Sequence, residues 1–260
     1  MLIHATAVVH PDAELHPSVR VGAFAVIDEA VRLGPDCEVG PHVHLTGDLE
    51  AGEGCRFHAG AVIGDAPQDL KYGEEPTRLR IGSKNVFREH VTVHRSNSLE
   101  EDTVIGDGNF FMAHSHVGHN CHIGNHNTFA NGALIAGHVV IEDRAFISGN
   151  CMVHQFARIG TLAMMQGGAG ISKDLPPFMM AMSNNTVCGL NTVGLRRAGF
   201  SVDERTELKR LYRFLHSGDL RLSEAVIQGL EMFTSKPCQD VLVFIQGSER
   251  GICRDVRKRD

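Results

Sequence analysis

From Ile3 to Ile171 a large apolar residue recurs at every sixth position. Of the 29 positions in that frame, 26 carry Ile, Val, Leu, Phe or Met, and only Ala51, Asp69 and Glu75 do not. A period of six fits neither the 3.6 of a helix nor the two of a lone strand, so the pattern predicts a repeat array. The next residue is often Gly (Gly22, Gly34, Gly40, Gly64, Gly82, Gly106, Gly118, Gly124, Gly160), which predicts a tight bend there. Four places after the apolar residue the side chain is small or modest: Val19, Ala25, Cys37, Cys55, Cys121, Ala133, Ala145, Cys151. One large and one small inward residue per hexad describe the tapered core of a parallel β-helix. Three hexads close a triangular coil of about 18 residues.

The frame breaks twice, in polar stretches punctuated by Pro and Gly or by Ser and Asn, which predicts loops at 65–80 and 94–104 projecting from the prism. It stops at Pro176-Pro177, dividing the chain into a β-helix over 1–175 and a helical domain over 176–260. In the second part Ser201-Val202-Asp203-Glu204 is a capping-box pattern ahead of Leu208, Leu211 and Leu215, with Gly218 as the predicted stop. Further helices are predicted over 191–198, 222–233 and 238–247. A β-helix has an open sheet edge at each end, and the helical part is expected to cover one of them.

Composition narrows the function classes. Residues 1–175 carry a net charge of −9 and 176–260 a net +3, together the −6 of the chain. That balance does not suit a nucleic-acid binder, whereas a basic tail suits an acidic protein partner. No apolar run approaches the roughly 20 residues of a membrane span, and the N-terminus lacks a signal-peptide pattern. Seven cysteines without CxxC spacing argue against a disulfide framework and for a reduced, cytoplasmic protein.

Histidine is the unusual residue: 16 in all, seven of them between 114 and 154. His138 follows His119 by 19 residues and His154 follows His138 by 16, each close to one coil, so the three are expected along one strip of the prism. Such a strip could supply a general base near neutral pH or three ligands for zinc, as in the γ-type carbonic anhydrases. Strand alternation around His114, His116 and His119, and the lack of surplus carboxylates, weigh against the metal.

A series of longer motifs occurs in order: Gln68-Asp69-Leu70-Lys71-Tyr72, Glu75-Pro76-Thr77, His94-Arg95, His116-x-x-His119, Ala136-Gly137-His138, Val153-His154-Gln155-Phe156, Asp174-x-Pro176-Pro177 and Gly194-Leu195-Arg196-Arg197-x-Gly199-Phe200. Over essentially its whole length the chain resembles the UDP-N-acetylglucosamine O-acyltransferases, hexapeptide-repeat enzymes of lipid A biosynthesis. The resemblance implies a left-handed coil, against the usual right-handed crossover, and a cytoplasmic homotrimer with sites between neighbouring prisms. It implies no cofactor, with the (R)-3-hydroxyacyl donor carried on the phosphopantetheine of acyl carrier protein.

Residue by residue, the resemblance makes His119 the general base and the Gly137 N–H an oxyanion donor. It makes Gln68, Asp69, Lys71, His116, His138, His154 and Gln155 contacts to sugar and acyl group, and Asn191 and Arg197 contacts to the nucleotide. The acyl chain would run past Met164, Met165, Gln166 and Gly167, with glycine at 167 leaving room for a long chain. Two departures stand out: Asn120 where the family often has Asp, and Ala198 where it is often basic. Asp in place of Asn120 is expected to leave activity intact or raise it. The neighbouring possibilities are an acyltransferase acting on a 3-amino sugar nucleotide, a zinc carbonic anhydrase, and a structural β-helix, the last disfavoured by the scarcity of outward Thr.

Overall fold

A computed structural model describes residues 2–217 and 220–255. Short parallel strands, most of two residues, stack into three faces: twelve strands beginning at Leu2–Ile3, nine beginning at Val8–Val9, and eight beginning at Glu14–Leu15. Successive coils pair in register, Leu2 beside Arg20 and Ile3 beside Val21, so the spacing is 18 residues. The fold is a left-handed parallel β-helix followed by a short helical region.

The apolar frame points inward, and beyond the first coils its members are buried except where loops interrupt. On the first face Phe57, Phe87, Phe111 and Phe129 stack nearly parallel, with ring centroids 5.2, 4.8 and 4.6 Å apart. The cysteines at the small inward positions are buried, and all seven in the chain are free. Three of the small positions hold Asn instead. Asn85, Asn109 and Asn127 form an internal ladder in which each Oδ1 accepts the backbone N–H of the next coil's residue, at 2.9 and 2.8 Å.

The glycine that follows each apolar residue is not the bend. Except at Gly64 (φ 90°) its backbone φ is not positive, and a Cβ at Gly22 would lie 2.9 Å from the backbone of Gly40 one coil on. Close stacking of coils, not a left-handed turn, demands glycine there. The bend falls two residues later, where φ is positive: Phe24 (58°), His42 (57°), His90 (57°), His114 (59°), Asn120 (55°), His126 (57°) and His138 (58°). Asn and His tolerate this conformation better than most residues. Five of the histidines are therefore corner residues, and the raw count overstates the chemistry.

The first loop spans 66–77, between Val62–Asp65 and Arg78–Ile81, and the second 95–102, between Thr92–His94 and Thr103–Ile105. The first face continues past Pro177 through Met179–Ser183 and Thr186–Leu190, so sheet reaches beyond the end of the hexads. Helices α1 (Thr192–Arg197), α2 (Val202–His216), α3 (Leu222–Met232) and α4 (Lys236–Gln246) follow. The capping box at Ser201 is present, with Glu204 N–H donating to Ser201 Oγ; Gly218 lies outside the described residues. Arg158 ties α4 to the last coil by donating to Gly247 O at 2.9 Å and lying 4.1 Å over the Phe244 ring.

Candidate active site

His119, Gly137 and Gln155 occupy one column, the second residue after the apolar positions Val117, Ile135 and Val153, at the corner between the second and third faces. His154 stands one column before it and His138 one column after. The predicted strip is thus three adjacent columns wide. The ring of His138 meets that of His119 edge-on at 5.1 Å and stacks on Phe156 at 4.7 Å. A groove of about 900 Å³ runs along the second face, lined by His94, His116, His119, Gly137, His154 and Gln155, with Gln68 at its edge.

The His119 ring is held at its Nδ1 end. Asn120 Oδ1 accepts the Asn97 backbone N–H at 3.0 Å, which can only donate, so the amide oxygen faces that way. The same oxygen lies 2.8 Å from His119 Nδ1, which therefore carries the proton and leaves the Nε2 lone pair open. The Cε1–Nε2 edge sits over Gly137, where an added Cβ would be 2.8 Å from the ring. Glycine at 137 leaves room for the imidazole beside it.

Gly137 is buried, and its N–H finds no acceptor among the described residues. One corner away three of the equivalent N–H groups are satisfied by side chains from the next coil: Ser83 to Asp107 Oδ1 (2.6 Å), Asp107 to Asn125 Oδ1 (2.8 Å), and Asn125 to Asp143 Oδ1 (2.7 Å). A buried, unpaired donor is costly. Next to an imidazole base it is a ready anion site.

His116 is mostly buried beneath the groove, with Nδ1 2.8 Å from Thr92 Oγ1 and its ring edge-on to His94 at 4.9 Å. Burial pushes its imidazole down to about 4, and nearby His94 and His119 add to the effect. Burial likewise lowers His94 and, with His119 beside it, His138. These rings are neutral at pH 7. They meet by their edges, and among the described residues no group of three or more His, Cys, Asp or Glu is arranged to hold a metal ion.

The first loop reaches the site through Asp69, whose Oδ2 accepts Asn97 Nδ2 at 2.8 Å. The Lys71 N–H, then Asn97, hold its carboxyl below the usual range. Lys71 itself is exposed and does not line the groove. His94 and Asn97 stand at the site beyond the residues expected there, the His94-Arg95 pair at the frame break being the only sequence signal, whereas Asn120 was marked by its departure from the family pattern.

Asn191, Arg197 and Met164 lie elsewhere. They line a second groove of about 950 Å³ on the first face, beside α1. The Asn191 amide is already occupied as a helix cap, accepting from Gly194 N–H at 2.9 Å and donating to Leu162 O at 3.0 Å. Arg197 is exposed at the rim. Gly167 sits on the corner between the first and second faces, lining neither groove, and a Cβ there would meet only Gly149 O at 3.6 Å.

A prism of stacked hexads is the architecture of the hexapeptide-repeat transferases, and residues 102–137 match the bacterial transferase hexapeptide family of six repeats. Residues 174–253 match the second domain of UDP-N-acetylglucosamine O-acyltransferase, and the chain belongs to that family. It is 42% identical over 97% of its length to the acyl-[acyl-carrier-protein]--UDP-N-acetylglucosamine O-acyltransferase of Thermodesulfovibrio yellowstonii, covering 99% of that protein. The crystal structure of the Francisella novicida UDP-N-acetylglucosamine acyltransferase superposes with a TM-score of 0.94 at 36% identity, covering 98% of this chain and 95% of that one. The Arabidopsis enzyme gives 0.86 at 36% identity, covering 97% and 100%.

Proposed function

We propose that this chain transfers a (R)-3-hydroxyacyl group from acyl carrier protein to the 3-hydroxyl of UDP-N-acetylglucosamine, the first step of lipid A biosynthesis. The observation that carries the reading is the pairing of His119 with Gly137: a base whose free nitrogen lies beside an unpaired N–H donor. His119 Nε2 takes the hydroxyl proton as the sugar oxygen attacks the thioester carbonyl. The Gly137 N–H stabilises the oxyanion of the tetrahedral intermediate. Collapse expels the carrier thiolate, which recovers the proton from the imidazolium, leaving an ester and a free thiol. No cofactor enters the reaction.

His116, His138, His154, Gln155, Gln68, Asp69 and Lys71 serve in this reading as contacts to sugar and acyl group, and Asn191 and Arg197 as contacts to the nucleotide, Arg197 offering a fork suited to phosphate. Because the His119 and Arg197 grooves lie on different faces of one prism, we infer a homotrimer in which neighbouring copies complete each site. The net +3 of residues 176–260 supports docking of an acidic carrier protein. Seven free cysteines support a cytoplasmic location; among the described residues no helix is long and apolar enough to cross a membrane.

Mass analysis of products tests the assignment, with hydroxyacyl carrier proteins of several lengths and UDP-N-acetylglucosamine as acceptor. A 3-O-acyl product is expected. Acylation only of a 3-amino sugar nucleotide would move the enzyme to the neighbouring N-acyl class. Sedimentation showing a fully active monomer would refute the shared site.

A further inference from the structure

Among the described residues no carboxylate hydrogen-bonds to His119, yet one stands a single side chain away. Asn120 is buried, 1% exposed. While its Oδ1 faces His119, its Nδ2 donates to Ser96 Oγ at 2.8 Å and to Glu101 Oε2 at 3.1 Å. Glu101 Oε1 lies 3.1 Å from His122 Nε2, and Oε2 lies 3.7 Å from His138 Nδ1. His138 in turn meets the His119 ring. Glu101 therefore reaches His119 by two routes, through the Asn120 amide and through the His138 ring. It comes from the second loop, where the six-residue frame places no demand on residue type.

Resting on the reading of His119 as the base, we propose that Glu101 is a positioning residue for it. Glu101 holds the Asn120 amide in one orientation and supplies, through that amide, the negative charge that steadies the imidazolium as it forms. A carboxylate accepting at one end of an amide makes its oxygen a better acceptor at the other. The charge is half-exposed, so its effect is screened and modest. Other groups facing His119 are Asp69, His94, His116 and His138, while Glu101 also faces His122.

The same geometry reverses the expectation for Asn120→Asp. A carboxylate at 120 would lose the Nδ2 donor and stand about 3 Å from Glu101, where two like charges compete for one proton. The substitution should help only when Glu101 is also neutralised.

Steady-state rates against pH for the full-length wild type, Glu101→Gln, Asn120→Asp and the double variant test this. Glu101→Gln should lower kcat about 5–10-fold with KM within about twofold, and should move the acid limb of kcat/KM to lower pH, because removing a carboxylate favours the neutral ring. Asn120→Asp should lose about tenfold at pH 7 and shift the acid limb upward, and adding Glu101→Gln should restore most of that loss. A wild-type profile in Glu101→Gln overturns the proposal. So does a fall in kcat with the limb unmoved, since Glu101 would then only brace its loop, or an Asn120→Asp variant as active as the double. His119→Ala separates the two layers: near-wild-type activity there refutes the base itself, whatever Glu101 does.

Discussion

Two corners of this prism share one backbone and divide the labour of the molecule. Where the third face turns into the first, the N–H groups of Ser83, Asp107 and Asn125 are met by Asp107, Asn125 and Asp143, and the inner Asn85–Asn109–Asn127 ladder ties coil to coil. Where the second face turns into the third, the same positions hold His119, Gly137 and Gln155, and none of their N–H groups has an acceptor among the described residues. One corner ties its coils together through side-chain hydrogen bonds. The other leaves donors open, and it is there that the proposed reaction falls. A repeat fold lets the two differ by a few side chains because each coil leans only on its neighbours.

Removing the base should break the contrast most. His119→Ala is expected to lower kcat about 10²–10⁴-fold with little change in KM, the range for a positioned general base. Wild-type turnover in that variant, measured by single-turnover acyl transfer, would remove chemistry from this corner. Next in size is Gly137→Ala. The new methyl would fall 2.8 Å from the His119 ring and push it aside, a displacement that typically costs about 10²-fold in kcat. A kcat within twofold of wild type would show that the ring is not held there.

The opposite corner should respond in stability alone. Asn109→Ala orphans the Asn127 N–H and the Gly124 carbonyl, which the Asn109 side chain now serves at 2.8 and 2.9 Å. Each buried unpaired group costs about 1–3 kcal/mol, so a loss of about 2 kcal/mol in urea unfolding is expected, with kcat unchanged. A fall in kcat at constant stability would blur the division of labour. The third corner, between the first and second faces, carries Gly167 with only Gly149 O near its would-be side chain. Gly167→Met should shift preference to a shorter donor by roughly tenfold per pair of carbons excluded, read from competing carrier substrates. An unchanged choice of length would place the ruler elsewhere.

The prism was legible in the sequence because every coil must bury the same two positions, and so repeats its signal many times over. The bend was misplaced for a related reason. Glycine marks both a left-handed turn and a close backbone approach, and only the distance from Gly22 to Gly40 tells them apart. The motifs that carry the family resemblance singled out His119 and Gly137, which stand on successive coils of one column. Glu101 and Asn97 were not, since they arrive on a loop whose path no periodicity fixes. Counting histidines misled, because the bend itself recruits His42, His90, His114 and His126 for their tolerance of positive φ.

The smallest effect should appear in acid. The buried ladder at the closed corner is made of amides, which gain no proton as pH falls. The open corner buries imidazoles, and His116 is held down to about 4 by burial. In the unfolded chain a histidine takes its proton near 6.5. Between those values the unfolded state binds more protons than the folded one, so stability is complete above about pH 6.5 and is lost as pH falls toward 4. Partial exposure and screening reduce the full linkage, leaving a loss on the order of 1 kcal/mol between pH 7 and pH 5. His116→Gln, a neutral side chain of similar reach, should flatten that part of the curve, with buried His94 supplying what remains. Urea midpoints at the two pH values, wild type against variant, give the measurement. Equal acid sensitivity in both would mean that His116 is solvated in the native state, and that the active corner does not cost stability in acid through this ring.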